Sequence, residues 1–347
     1  MQYAALGTSG LMVSRVAFGN SLTHGNQIDD GAARSCVHAA LNAGITTFDT
    51  ADAYAQGRAE ELLGTFLAGQ RRSDLVLCTK VGRSPRPGAN EGRLSRKHIR
   101  DSAEASLRRL GTDYIDLYQA HRWDGQTPLE ETVSAFADLV HSGKALYIGV
   151  SEWTAPQIRA AAALARELRF PLVSNQAQYS LLWRVIEGEV MPACTEAGVG
   201  QMVWSPLAGG VLTGKYRPGQ GLPEGSRAAG AEGGAKSLNR WNYLDEAVLT
   251  AVHALVPLAK EAGLTPARLA LAWVLRNPAV SCAVTGASRP DQLRDTLLAL
   301  EVDLDDGLVD RVEAALAGVA VTDAAMAGRA PAPRQPCPAV RRERQTA

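Results

Sequence analysis

The sequence predicts a closed (β/α)8 barrel, an α/β TIM-barrel fold preceded by a β-hairpin. Short β-branched runs alternate with longer helical patterns, eight such runs can be counted, and each strand-plus-helix unit spans about 40 residues. An open doubly wound sheet more often stops at about five or six strands. No G-x-G-x-x-G segment occurs, which further disfavours a Rossmann half.

The opening, Gln2 to Arg15, reads as a hairpin turning at Thr8-Ser9-Gly10. The strands expected after it are Val16 to Gly19, Thr47 to Thr50, Leu75 to Lys80, Ile115 to His121, Tyr147 to Ser151, Val173 to Gln178, Gln201 to Leu207 and Ser281 to Ala287. Helical period and cap signals fill the intervals: Asp30 to Ala43, Ala59 to Ala68, Ser95 to Leu110, Pro128 to His141, Ala155 to Leu168, Val185 to Ala197, Tyr243 to Arg276 and Pro290 to Leu300. Gly44, Gly111 and Gly198 stand where helices end, as left-handed caps require. Two regions break the rhythm. The loop from Ala208 to Arg240 is long and rich in Gly, Ser and Pro, as lids, ligand straps and disordered segments are. From Ala324 the chain is mostly Ala, Pro and Arg, so residues 1–320 are assigned to the barrel and 321–347 to a disordered tail.

At 347 residues, with 46% apolar and 21% charged residues, the chain suits one large globular core. Thirty-six basic residues balance thirty-six acidic ones, so no global field would gather nucleic acid. The first ten residues lack a leader pattern and no run approaches the roughly 20 apolar residues of a membrane span, so a cytoplasmic protein without membrane contact is expected. The five cysteines are scattered without a C-x-x-C pair, and no metal site is signalled.

Barrel active sites form at the C-terminal ends of the strands. Here Asp49 closes the second strand, Lys80 the third and His121 the fourth, with Tyr54 just beyond Asp49. Asp49 and Lys80 end adjacent strands, so the carboxylate can keep a desolvated ammonium charged. That ammonium would favour the phenolate of Tyr54, making Tyr54 a candidate general acid, while His121 could donate to the same substrate oxygen. A buried structural Asp49–Lys80 pair is the plainer alternative.

The later strands end in amides and a flat ring. Ser151, Asn175 and Gln176 can bond a carboxamide and Trp204 can stack on a heteroaromatic ring, and a nicotinamide offers both. Ser288 can cap the last helix of the barrel, with Pro290 in its first turn. Arg289 there, with Lys215 and Arg227 from the long loop, supplies charge for a diphosphate and a 2′-phosphate.

Together, Phe48-Asp49-Thr50-Ala51-Asp52-Ala53-Tyr54, Thr79-Lys80, His121, Gly149-Val150-Ser151-Glu152-Trp153, Asn175-Gln176 and Trp204-Ser205-Pro206-Leu207 resemble the aldo-keto reductases, over about Gln2 to Gly318. Gly92-Arg93-Leu94-Ser95-Arg96-Lys97-His98-Ile99 and Ser205 through Tyr216 resemble the branch holding the potassium-channel β-subunits and their bacterial relatives. The resemblance implies a catalytic tetrad of Asp49, Tyr54, Lys80 and His121, and NADPH across the strand ends. Its nicotinamide would lie on Trp204 with the carboxamide near Ser151, Asn175 and Gln176. Lys215, Arg227, Ser288, Arg289 and Gln292 would hold its phosphates and adenosine, and Ser205, Pro206, Leu207, Gly209 and Gly286 would be further cofactor-binding positions. The implied activity is NADPH-dependent reduction of a small-molecule aldehyde or ketone. Alternatives are a nucleotide-sensing regulatory subunit, in which Asn tends to replace His121, and a reductase of nucleotide-linked keto-deoxysugars. Homo-oligomerisation is left open. The chain departs from its relatives at Asn20-Ser21 (often Thr-Trp), Thr296 (commonly Asn) and Glu152 (usually Asn or Arg).

Overall fold

The computed structural model describes residues 1–83, 88–230, 234–239 and 241–328. A short antiparallel hairpin, β1 (Tyr3–Ala5) and β2 (Met12–Ser14), precedes eight parallel strands: β3 (Val16–Gly19), β4 (Thr47–Asp49), β5 (Val76–Val81), β6 (Ile115–Ala120), β7 (Ala145–Ser151), β8 (Leu172–Gln178), β9 (Gly200–Trp204) and β10 (Val280–Thr285). Each pairs with the next in chain order, and β10 closes the barrel against β3.

The first six barrel strands are each followed by one helix: α1 (Asp30–Asn42), α2 (Arg58–Leu67), α3 (Arg96–Leu110), α4 (Leu129–His141), α5 (Ala155–Glu167) and α6 (Val190–Ala197). Side chains fix where several begin. Asp29 accepts from the Ala32 amide at 2.9 Å and Ser95 from the His98 amide at 3.3 Å, satisfying donors that a helix start leaves open. Gly111 and Gly198 end α3 and α6 in the left-handed conformation, as the sequence predicts.

Alternation along the strands separates two apolar layers. Phe18, Phe48, Tyr118 and Val203 face the helices. Ala17, Cys78, Leu117, Met202 and Cys282 fill the barrel interior, where Leu6 and Val13 of the hairpin join them with no solvent exposure. The hairpin turn lies against the start of β9: a Cβ on Gly200 would come within 2.3 Å of the Gly7 amide nitrogen, so only glycine permits this approach. The hairpin thus closes the N-terminal end of the barrel and leaves the C-terminal end for chemistry.

Several expected elements differ. Tyr243 to Arg276 is three helices, α8 (Glu246–His253), α9 (Leu255–Glu261) and α10 (Pro266–Arg276), after a short α7 (Gly234–Asn239). Left-handed Gly263 stops α9, and Thr265, accepting from the Arg268 amide at 3.2 Å, restarts the chain with Pro266 in the first turn. Val185 to Ala197 divides into a 3-10 turn over Val185–Glu187 and α6. The long loop buries Leu212, Tyr216, Ala228 and Leu238 against the barrel, so in its described residues it is a packed strap.

Two further helices, α11 (Pro290–Leu297) and α12 (Asp306–Leu316), complete the described fold. The first residues of the segment assigned as tail are ordered: Val321 bonds Leu182 and Arg184 through its backbone, and Ala324–Met326 forms a 3-10 turn. Residues 329–347 of that assignment lie outside the described residues. Among the described residues no single helix is long and apolar enough to cross a membrane.

Candidate active site

The site is built at the C-terminal mouth. Lys80 of β5 is fully buried, and its ammonium donates to Asp49 Oδ2 and to the Thr50 carbonyl, both at 2.7 Å. Burial alone would push the lysine pKa down, but the charge of Asp49 and contact with Tyr54 outweigh it, and the pKa is raised. Lys80 is therefore an ammonium at neutral pH. The other oxygen of Asp49 accepts from Gln176 Nε2 at 2.8 Å, which spans the barrel mouth from β8.

Tyr54 opens a short 3-10 turn after β4 in which Ala55 (φ 45°) and Gln56 (φ 57°) are left-handed. Such strain is tolerated where the surroundings fix the chain, and here it sets the phenol over Lys80, whose Nζ lies 5.1 Å from the ring centroid. The His121 ring meets Tyr54 edge-on, with centroids 5.6 Å apart. Burial, then the positive charges of Lys80, Arg122 and Arg83, hold the imidazole pKa well below its usual range, so His121 is neutral. Its Nδ1 is buried without a hydrogen-bond partner. The structure thus brings together all four residues singled out in the sequence.

Next to them, the Ser151 hydroxyl donates to the Gln176 carbonyl at 2.8 Å. Trp204, at the end of β9, donates its indole N–H to Glu152 Oε1 at 2.7 Å. Asn175 departs from the expected placement. Neighbouring strand residues point to opposite faces, so with Gln176 turned into the mouth Asn175 faces the helices, where it donates to Gln201 Oε1 at 3.3 Å. It is not grouped with Ser151 and Gln176.

Beyond β9, the Ser205 hydroxyl accepts from the Gly209 amide at 3.1 Å in a turn where Gly209 and Gly210 have positive φ. Pro206 is buried and Leu207 half-buried in the same turn. A Cβ on Gly209 would lie 3.1 Å from Arg227 Nη1, and one on Gly210 3.0 Å from Lys215 Nζ, so the bare turn lies against two cations. Burial, then repulsion from Arg227 and Arg289, pushes the Lys215 pKa down. A cation crowded by like charges fits an anionic group, as a dinucleotide's phosphates would provide. Ser288 does not cap α11. Arg289 holds the cap position, exposed, and Gln292 Oε1 instead accepts both the Ser288 amide and hydroxyl at 3.0 Å. Gly286 lies against the Gly19 carbonyl, 3.0 Å from where its Cβ would be.

The departures have structural accounts. Asn20 is buried and donates to the Ala59 carbonyl at 3.0 Å, anchoring α2. The Thr296 hydroxyl bonds back to the Gln292 carbonyl at 2.7 Å. Two residues at the mouth escaped the sequence reading. Arg122 bonds Ser151 at 3.0 Å, and Gln178 donates its backbone N–H to Glu152 at 2.5 Å. Their positions at strand ends were the available signal.

The sequence model of the Aldo/keto reductase family matches residues 15–317, a span containing the barrel strands and the whole tetrad. The chain belongs to the aldo/keto reductase family. It is 44% identical over 307 residues to a probable voltage-gated potassium channel subunit beta of Arabidopsis thaliana, covering 87% of this chain and 92% of that protein. A probable subunit beta of Oryza sativa subsp. japonica is 42% identical over 324 residues, covering 90% and 96%. A putative subunit beta of Schizosaccharomyces pombe is 40% identical over 307 residues, covering 85% and 87%. This aldo/keto reductase therefore aligns with those proteins over 85% to 90% of its length.

Proposed function

We propose that the protein is a cytoplasmic, NADPH-dependent reductase that converts an aldehyde or ketone to an alcohol. The observation that carries this reading is a charged Lys80, paired with Asp49, beneath a Tyr54 that touches neutral His121. Ser151, Gln176 and Trp204 would hold the nicotinamide, the Ser205 to Gly209 turn its diphosphate side, and Lys215, Arg227, Ser288, Arg289 and Gln292 the remaining phosphate and adenosine. NADPH, when bound there, supplies the hydride.

Tyr54 delivers the proton to the carbonyl oxygen. Lys80 stabilises the phenolate left behind, and Asp49 keeps that lysine charged through the cycle. Neutral His121 orients the oxygen without adding a second proton source. Incubation with NADPH and a panel of aldehydes and ketones, followed by loss of cofactor absorbance, tests the reading. Turnover that requires Tyr54 supports it, and tight NADPH binding with no turnover across the panel overturns it.

The similarity to proteins named as potassium channel β-subunits favours a second reading, a nucleotide-binding regulatory subunit. A nucleotide-linked keto-deoxysugar belongs in the panel as the third substrate class.

A further inference from the structure

Arg122 follows His121 where β6 ends. Its Nη1 donates to the His121 carbonyl at 2.6 Å and to the Ser151 hydroxyl at 3.0 Å, so the guanidinium is fixed between two residues of the site. Its other nitrogens carry no hydrogen bond to a described residue, and Nε is buried without a partner. Arg72, Arg109 and Arg184, also half-buried, each meet a carboxylate within 3 Å, as with the 2.5 Å contact between Arg72 and Asp116, whereas Arg15 is satisfied by backbone carbonyls. Among the described residues none forms an ion pair with Arg122.

Lys80 is neutralised by Asp49, whereas Arg122 has no such counter-ion among the described residues, and its charge is felt at His121. A planar guanidinium held in place by its neighbours is matched to a carboxylate or phosphate. We infer that the substrate carries an anionic group near its carbonyl, and that Arg122 receives this group while the carbonyl oxygen meets Tyr54 and His121. The inference rests on the reductase reading above and narrows its substrate class.

Matched aldehydes test it: benzaldehyde against 4-formylbenzoate, and glyceraldehyde against glyceraldehyde 3-phosphate, so that carboxylate and phosphate are judged separately. At least one anionic member should be favoured in kcat/KM by about ten-fold or more, a typical effect of a charge-assisted bond. Arg122→Gln should erase that ratio mainly through KM, and Arg122→Lys should keep part of it. Equal kcat/KM within both pairs, or a preference that survives in folded Arg122→Gln, overturns the inference. If no aldehyde is turned over, the reductase reading fails on its own. Benzoate and glycerol 3-phosphate binding to NADP⁺-loaded protein, followed by tryptophan fluorescence, then decides: loss of binding in Arg122→Gln supports the anion site, and unchanged or absent binding overturns it.

Discussion

Glu152 Oε1 accepts two hydrogen bonds, from the Trp204 indole at 2.7 Å and from the Gln178 backbone N–H at 2.5 Å, and so ties together the ends of β7, β8 and β9. Glu152 is buried with a φ of 59°, a conformation that costs a non-glycine residue energy and that these bonds offset. Its carboxylate fixes the ring on which a nicotinamide would stack. The oxidised nicotinamide is a cation and the reduced one is neutral, so Glu152→Gln should weaken NADP⁺ more than NADPH. Fluorescence titration of both cofactors measures this, and equal weakening would show that only the shape of the side chain matters.

Tyr54→Phe keeps the ring contact with His121 and removes the proton donor. It should lower kcat by several powers of ten while NADPH affinity stays close to wild type, because the hydroxyl acts in the transition state. Near-normal turnover would assign the proton to another group.

Lys80→Met leaves Asp49 buried with Gln176 as its remaining side-chain partner. Reduction should be abolished and unfolding free energy should fall by about 3 kcal/mol, the usual result of stripping one member from a buried pair. Urea unfolding reads the second effect, and unchanged stability would show that water reaches Asp49.

Arg289 stands exposed at the start of α11 and its charge reaches Lys215. The wild type should bind NADPH more tightly than NADH by about one to two powers of ten, and Arg289→Ala should narrow that gap by weakening NADPH. An unchanged ratio in the variant would move the 2′-phosphate to other residues.

His24 is buried against Phe18 and Phe66, and burial pushes its pKa down to about 4 despite the nearby charge of Asp30. The unfolded chain takes up this proton first, near pH 6.5, so the stability His24 contributes is complete above that pH. It is lost as pH falls toward 4, on the order of 3 kcal/mol in all. Unfolding free energies of wild type and His24→Gln across this window should diverge in slope, and parallel curves would exclude His24 as the cause.

The strands and the convergence of Asp49, Tyr54, Lys80 and His121 were legible because both are local signals: alternation marks a strand, and residues at the C-terminal ends of barrel strands gather at one mouth. Asn175 was not, because two adjacent amides look alike until the register gives each a face. The register between β7 and β8 shifts between Ile148 and Gly149, an irregularity that composition does not announce. The break at Gly263 to Pro266 was present in the sequence but hidden by a continuous helical period on both sides. Glu60, which bonds Thr79 at 2.5 Å and Arg109 at 2.7 Å behind the tetrad, depends on a residue 49 positions away and left no pattern to read.

Leu6 and Val13 close the barrel at the end opposite the tetrad, and the packed interior above them leaves no passage among the described residues. Traffic in both directions then shares one opening. A dinucleotide laid across the strand ends would be overlaid by the molecule it reduces, and neither could leave through the floor. On the proposed reductase reading, a floor sealed by the hairpin means that the cofactor would have to enter before the carbonyl compound and leave after the alcohol.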